Sequence, residues 1–167
     1  HIAMGATRVM RPCLSMGQAA GTAAAIAVRH DESPHGVYDF YLDELQQTLI
    51  KDGCYLIDVA GCDPNDLAQQ AELSASSEQP RYEAKNVRDG FNRLSGSATH
   101  AWRPADGDAT PWIEFSLEKP SELDVIHITF AERAVPFMIE ADGQPIKSIL
   151  ATSERRLVLA IDPIFTQ

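Results

Sequence analysis

Arg8, Met10, Met16, Gly17 and Gln18 are the residues whose types and spacing speak most directly of chemistry. They lie within Gly5–Arg29, where Met16-Gly17-Gln18 opens a run rich in alanine. Ala19, Ala20, Ala23, Ala24, Ala25 and Ala27 outweigh the cost of about 1 kcal/mol for each interior glycine, so the composition predicts a helix from about Ser15 to Arg29. A helix starting there presents N–H groups without intrahelical partners, and the positive end of its dipole, to an electron-rich oxygen. Gly17, Gly21, Ala24, Ala25 and Val28 recur on one side. That face carries almost no side-chain bulk, which predicts close approach by a sheet, a second helix or a flat ligand.

Close packing with no ligand is the competing reading of the same face. A secretory leader fits poorly. Arg8 and Arg11 do precede an apolar run, and Ala23-Ala24-Ala25 mimics a cleavage site, but Ser15, Gln18 and two glycines interrupt the hydrophobic segment. A membrane span is not expected, because Cys13 to Val28 falls short of the roughly 20 apolar residues required.

Arg8-Val9-Met10, followed by Met16-Gly17-Gln18-Ala19-Ala20-Gly21-Thr22-Ala23-Ala24-Ala25, resembles the C-terminal flavin-contacting segment of the FAD-dependent oxidoreductase family. The resemblance implies that the helix N-terminus points at the pyrimidine side of the isoalloxazine ring. Its N–H groups would there stabilise negative charge at flavin N1 and O2. It assigns Arg8, Met10, Met16, Gly17 and Gln18 to cofactor binding by motif position, with FAD as the cofactor. It also implies that a nucleotide-binding region N-terminal to this segment completes the site. The Gly-x-Gly-x-x-Gly pattern that grips the dinucleotide in that family does not occur in this sequence. The chain therefore reads as a C-terminal piece, inactive alone, with catalytic residues and substrate contacts elsewhere.

The whole chain has 167 residues, 44% of them hydrophobic, enough for one domain or two small ones. Its 14 Lys and Arg against 24 Asp and Glu leave a net charge of −10 and a pI near 4.8. Such an acidic balance argues against a nucleic-acid partner, which demands a basic phosphate-binding surface. Cys13, Cys54 and Cys62 contain no Cys-x-x-Cys pair, so no zinc or thioredoxin-like site is expected. Cys54 and Cys62 are spaced to bridge a short loop in an oxidising compartment. Cys13 reads either as a redox-active thiol or as a small buried residue.

Pro34 ends the first helix in this reading. Tyr38, Leu42, Leu45 and Leu49 then repeat at helical spacing, with Gly53 at the end, and predict an amphipathic helix over about 39–52. Its Leu-Gln-x-x-Leu-x-x-Asp-Gly tail resembles the closing helix of the same flavoprotein family. Composition turns polar from Gly61 to Pro80, where Asp63 is expected to cap a short helical turn begun by Pro64. Beyond it the period becomes that of strands, at Leu73–Ser76, Trp112–Leu117, Leu123–Phe130, Phe137–Ala141, Ile146–Leu150 and Leu157–Ile161. The fold class is α+β, with a helical segment over 1–60, a linker and first strand over 61–80, and an antiparallel β-sandwich over 81–167.

Asn86-Val87-x-Asp89-Gly90, Ala101-Trp102 and Pro111-Trp112-Ile113-Glu114-Phe115 resemble, in that order, the galactose-binding-like or discoidin sandwich. This resemblance implies ligand-binding loops at one end, with carbohydrate as the candidate ligand and Trp102 as a stacking platform. A tryptophan packed in the core is the plainer reading of Trp102. Asp89-Gly90 reads first as a tight turn and second as a structural cation site, and Asp106-Gly107-Asp108 reads as a solvated loop lacking the spacing of a calcium loop. His127 is expected to face outward from its strand. Two functions follow: a C-terminal fragment of an FAD-dependent oxidoreductase that completes the flavin site and carries an accessory β-sandwich, or a non-catalytic carbohydrate-binding module with a helical extension.

Overall fold

The computed structural model describes residues 10–131, 136–149 and 156–165. Three helices are followed by short antiparallel strands, an α+β order, and the chain divides into two compact units, residues 1–63 and 64–167. Leu150 and Arg8, both named above, lie outside the described residues.

In the first unit, α1 spans Met10–His30, five residues longer at its start than the spacing predicts. The difference has a cause. Pro12 falls in the first turn, where the ring's lack of an N–H removes no hydrogen bond, so it is compatible with the helix rather than a barrier to it. At the other end Asp31 adopts φ +52°, and Glu32 N–H reaches back to the Ala27 carbonyl at 2.8 Å, closing the helix with a left-handed cap.

The expected second helix is two. α2 spans Pro34–Phe40 and α3 spans Leu42–Lys51, with Tyr41 at φ −129° between them. Ser33 and Pro34, which the sequence reading used only as a stop, are a start signal: the Ser33 hydroxyl accepts from Gly36 N–H at 3.0 Å and Pro34 takes the first helical position. Gly53, at φ +90°, ends α3 as expected, with its N–H on the Ile50 carbonyl and Cys54 N–H on the Leu49 carbonyl. Ile26, Val37 and Leu49, one from each helix, are the buried apolar residues among those described in this unit.

The segment after α3 is strapped back onto it. Gln47 donates to the Ala60 carbonyl at 3.0 Å and accepts from Cys62 N–H at 2.6 Å, while Lys51 and Asp63 pair at 2.7 Å. Asp63 is thus engaged by α3. Asp66 takes the capping role, accepting from Ala68 N–H ahead of a 3-10 turn over Leu67–Gln69. No disulfide joins Cys54 to Cys62.

In the second unit the strands are β1 (Glu72–Ala75), β2 (Ile113–Ser116), β3 (Glu122–Thr129), β4 (Phe137–Ala141), β5 (Gln144–Ile149) and β6 (Arg156–Phe165). Among the described residues they form three separate antiparallel pairs, β1 with β2, β3 with β6 and β4 with β5. They are not joined into the two larger sheets of a sandwich. Asp142 and Gly143, both at positive φ, make the two-residue turn that sets Ala141 opposite Gln144. Along β3 the alternation holds: Ile126 and Ile128 are half-buried, His127 and Thr129 exposed. β6 runs through Pro163, past the end the sequence suggests. A register shift between Leu123 and Val125 of β3 provides the irregularity in which proline is tolerated.

Candidate functional site

The small-residue face of α1 is the first candidate. At about 100° per residue, Met10, Leu14, Gly17, Gly21, Ala24 and Val28 form one stripe along the helix, and all six are exposed. Met10 and Val28 are each 84% exposed, whereas Ile26 on the opposite side is 1% exposed. A Cβ built on Gly17 or Gly21 meets nothing within 4 Å. Among the described residues no sheet or second helix approaches this face closely. The helix packs through Ile26 on the other side.

Met10 and Gly17 lie on the exposed stripe, two turns apart, and Met16 and Gln18 flank it, both exposed. Because α1 begins at Met10, the amides of Gly17 and Gln18 lie inside the helix rather than in its first turn. No acidic side chain stands in the first described turn. Cys13 is exposed rather than buried.

At the C-terminal end of α1, Arg29 and His30 both reach one carboxylate on α3. Arg29 Nη1 lies 2.8 Å from Glu44 Oε1 and His30 Nε2 lies 2.9 Å from Glu44 Oε2. The His30 ring also stacks on Tyr41, with centroids 4.0 Å apart and planes at 18°.

The second unit concentrates its polar groups in two loop networks. In one, Asp108 accepts from the hydroxyls of Ser76 and Ser77 and from Thr110 N–H, and Asp106 accepts from Gln79. The two hydroxyls, Ser76 first, hold the Asp108 carboxyl below the ordinary carboxylate range. Trp102 sits beside this network, half-buried, and its indole N–H donates to the Ser77 carbonyl at 2.9 Å. In the other, Asn86 Nδ2 is surrounded by four acceptors, and Asp89 is both a turn residue, accepting from Phe91 N–H, and a partner of His100 Nδ1 at 2.7 Å. Arg81 and His100 in this network both adopt positive φ. The sequence does not single out His100 as a partner of Asp89, and Ser76, Ser77 and Asn86 enter it only as part of the sandwich resemblance, without these contacts. Among the described residues no group of three or more His, Cys, Asp or Glu side chains is placed to hold a metal ion. A shallow depression lined by Glu72, Leu73, Glu78, Glu83, Lys85 and Arg88 brings together charges of both signs. No described helix is long and apolar enough to cross a membrane.

No curated protein matches the chain. A solved structure described as the crystal structure of SpGH29 is similar at 24% identity and a TM-score of 0.47, over 62% of this chain. The chain spans 23% of the length of that structure. Residues 1–49, which carry α1, α2 and most of α3, match the model of the family described as FAD dependent oxidoreductase.

Proposed function

We propose that the helical unit is a C-terminal piece of an FAD-dependent oxidoreductase domain and that α1 completes its flavin site. The observation that carries this reading is the match of residues 1–49 to that family. Two features of α1 are compatible with a flat, electron-rich group: a first described turn without an acidic side chain, and a face where Gly17 and Gly21 leave open space. Met10 and Gly17 would border the ring, with Met16 and Gln18 at its margins and Arg8 supplying positive charge. When bound, FAD supplies the capacity to accept and return electrons. The part of this chain is electrostatic, since amides and the helix dipole favour negative charge on the pyrimidine side.

This contribution is small by itself. A helix dipole stabilises an exposed anion by about 0.3 to 1 kcal/mol, whereas micromolar affinity requires about 8 kcal/mol. Pyrophosphate and ribose contacts from a nucleotide-binding region outside this sequence supply the remainder. The complete protein is accordingly expected to be yellow, with about one FAD per chain, and these 167 residues alone to lose flavin on dialysis. Flavin retained by this chain alone, or a complete protein without flavin, overturns the reading.

A further inference from the structure

We propose that Glu44 is a positioning residue that sets the rotation of α1 about its own axis, and so decides which face of the helix is turned toward the flavin. The proposal rests on the flavin reading for its functional consequence. Its structural content stands on the described contacts alone.

A helix that lies on its neighbours mainly through small side chains, as α1 does with Ala19, Thr22, Ala23 and Ala27 half-buried around Ile26, has few bulky ridges to fix its roll. Ile26 is the only residue of α1 that is buried among those described. His30, one turn further, lies on the same side of the helix, and Arg29 points about 100° away from it. One carboxylate receives both: Glu44 Oε1 takes Arg29 and Oε2 takes His30. Two neighbouring helical directions held by the two oxygens of a single group define an orientation, which one ion pair does not. Tyr41, stacked on the His30 ring, blocks rolling in that direction. The stripe of Met10, Leu14, Gly17, Gly21, Ala24 and Val28, opposite Ile26 by the helix period, is thereby kept turned away from α3. Helix rigidity carries this setting along α1 to the turn at Met10.

The test uses side-specific labelling and flavin affinity. Ala24 is exposed and Ala23, the next residue round the helix, is half-buried. In the 167-residue chain, a cysteine at Ala24→Cys is expected to react with iodoacetamide faster than one at Ala23→Cys, each read by mass spectrometry of its own peptide. Adding Glu44→Ala is expected to lower that ratio of rates by about threefold or more, because local opening governs thiol exposure. Glu44→Gln, whose amide can still accept from Arg29 and donate to neutral His30, restores it. In the complete protein, Glu44→Ala is expected to raise the Kd for FAD about tenfold, the scale of a lost charge-assisted hydrogen bond, while Glu44→Gln stays near wild type. An unchanged labelling ratio in Glu44→Ala overturns the proposal, as does a changed ratio with unchanged FAD affinity. A wild-type protein that binds no flavin overturns the reading beneath it, and the labelling ratio then still decides whether Glu44 sets the rotation.

Discussion

Ser76 Oγ donates to Asp108 Oδ2 at 2.6 Å, and through this bond the end of β1 is tied to the loop that leads into β2. Ser77 Oγ adds a second bond to the same oxygen at 2.6 Å, and Trp112 N–H donates to Ser76 Oγ. An ionised carboxylate can only accept, and it accepts more strongly than the protonated group.

Acid is therefore expected to loosen the second unit through Asp108. Its carboxyl is held below the ordinary value of 3.8 by Ser76, then Ser77, against an opposing effect of burial. A carboxyl depressed in the folded state stabilises above its unfolded value and loses that contribution as pH falls through its folded value. Thermal melts between neutral pH and the acid range should show the melting temperature dropping below pH 3.8, and Asp108→Asn should flatten part of that drop. An identical acid limb in the mutant and the parent would exclude this role.

Asn86 is expected to be the more costly residue to change in the neighbouring network. Its Nδ2 lies 3.0 Å from the Arg81 carbonyl, 3.4 Å from Glu83 Oε2, 3.3 Å from Thr99 Oγ1 and 3.2 Å from the Ala101 carbonyl. One amide NH2 thus serves four acceptors in a region where Thr99 is buried. Asn86→Asp replaces the donor by an anion facing oxygens only. A loss of about 1 to 3 kcal/mol is expected from the unsatisfied groups, read as a lower urea midpoint. A midpoint equal to that of the parent would mean that the four oxygens find other donors.

What was legible in the sequence follows from how local each signal is. The Asp142-Gly143 turn, the Gly53 helix stop and the alternation of β3 depend on a few adjacent residues, and each appears where the sequence places it. α1 starts earlier than the alanine run suggests because Pro12 is tolerated in the first turn. The break at Tyr41 was missed because Tyr38, Leu42, Leu45 and Leu49 keep a helical period straight through it. The contacts of Glu44 and Asp108 were illegible for a different reason. Their partners lie far along the chain, 14 residues away in the case of His30 and 32 in the case of Ser76, and spacing does not reveal such pairs.

Trp102→Phe separates the two uses of that ring. Phenylalanine keeps a flat apolar surface but leaves the Ser77 carbonyl without the donor it has at 2.9 Å. A destabilisation of about 1 kcal/mol is expected for a lost neutral hydrogen bond, measured by urea unfolding. No change in stability would show that the indole N–H contributes nothing and that the ring's role lies elsewhere.

Gly21→Leu distinguishes a bare helix face from a face that meets a partner. In this chain an added Cβ at Gly21 meets nothing within 4 Å, and replacing an interior glycine by a good helix former gains about 0.5 to 1 kcal/mol of helix stability. The 167-residue chain carrying Gly21→Leu should therefore melt at the same temperature or higher. In the complete protein the same leucine would stand where the flavin domain is proposed to pack, and overpacking costs about 1 to 3 kcal/mol. Flavin content per chain, read from the ratio of visible to ultraviolet absorbance, should fall there while the shorter chain is unharmed. The opposite signs are the informative result. If the leucine leaves flavin content and melting temperature of the complete protein untouched, the exposed stripe of α1 faces solvent in the whole molecule as it does here.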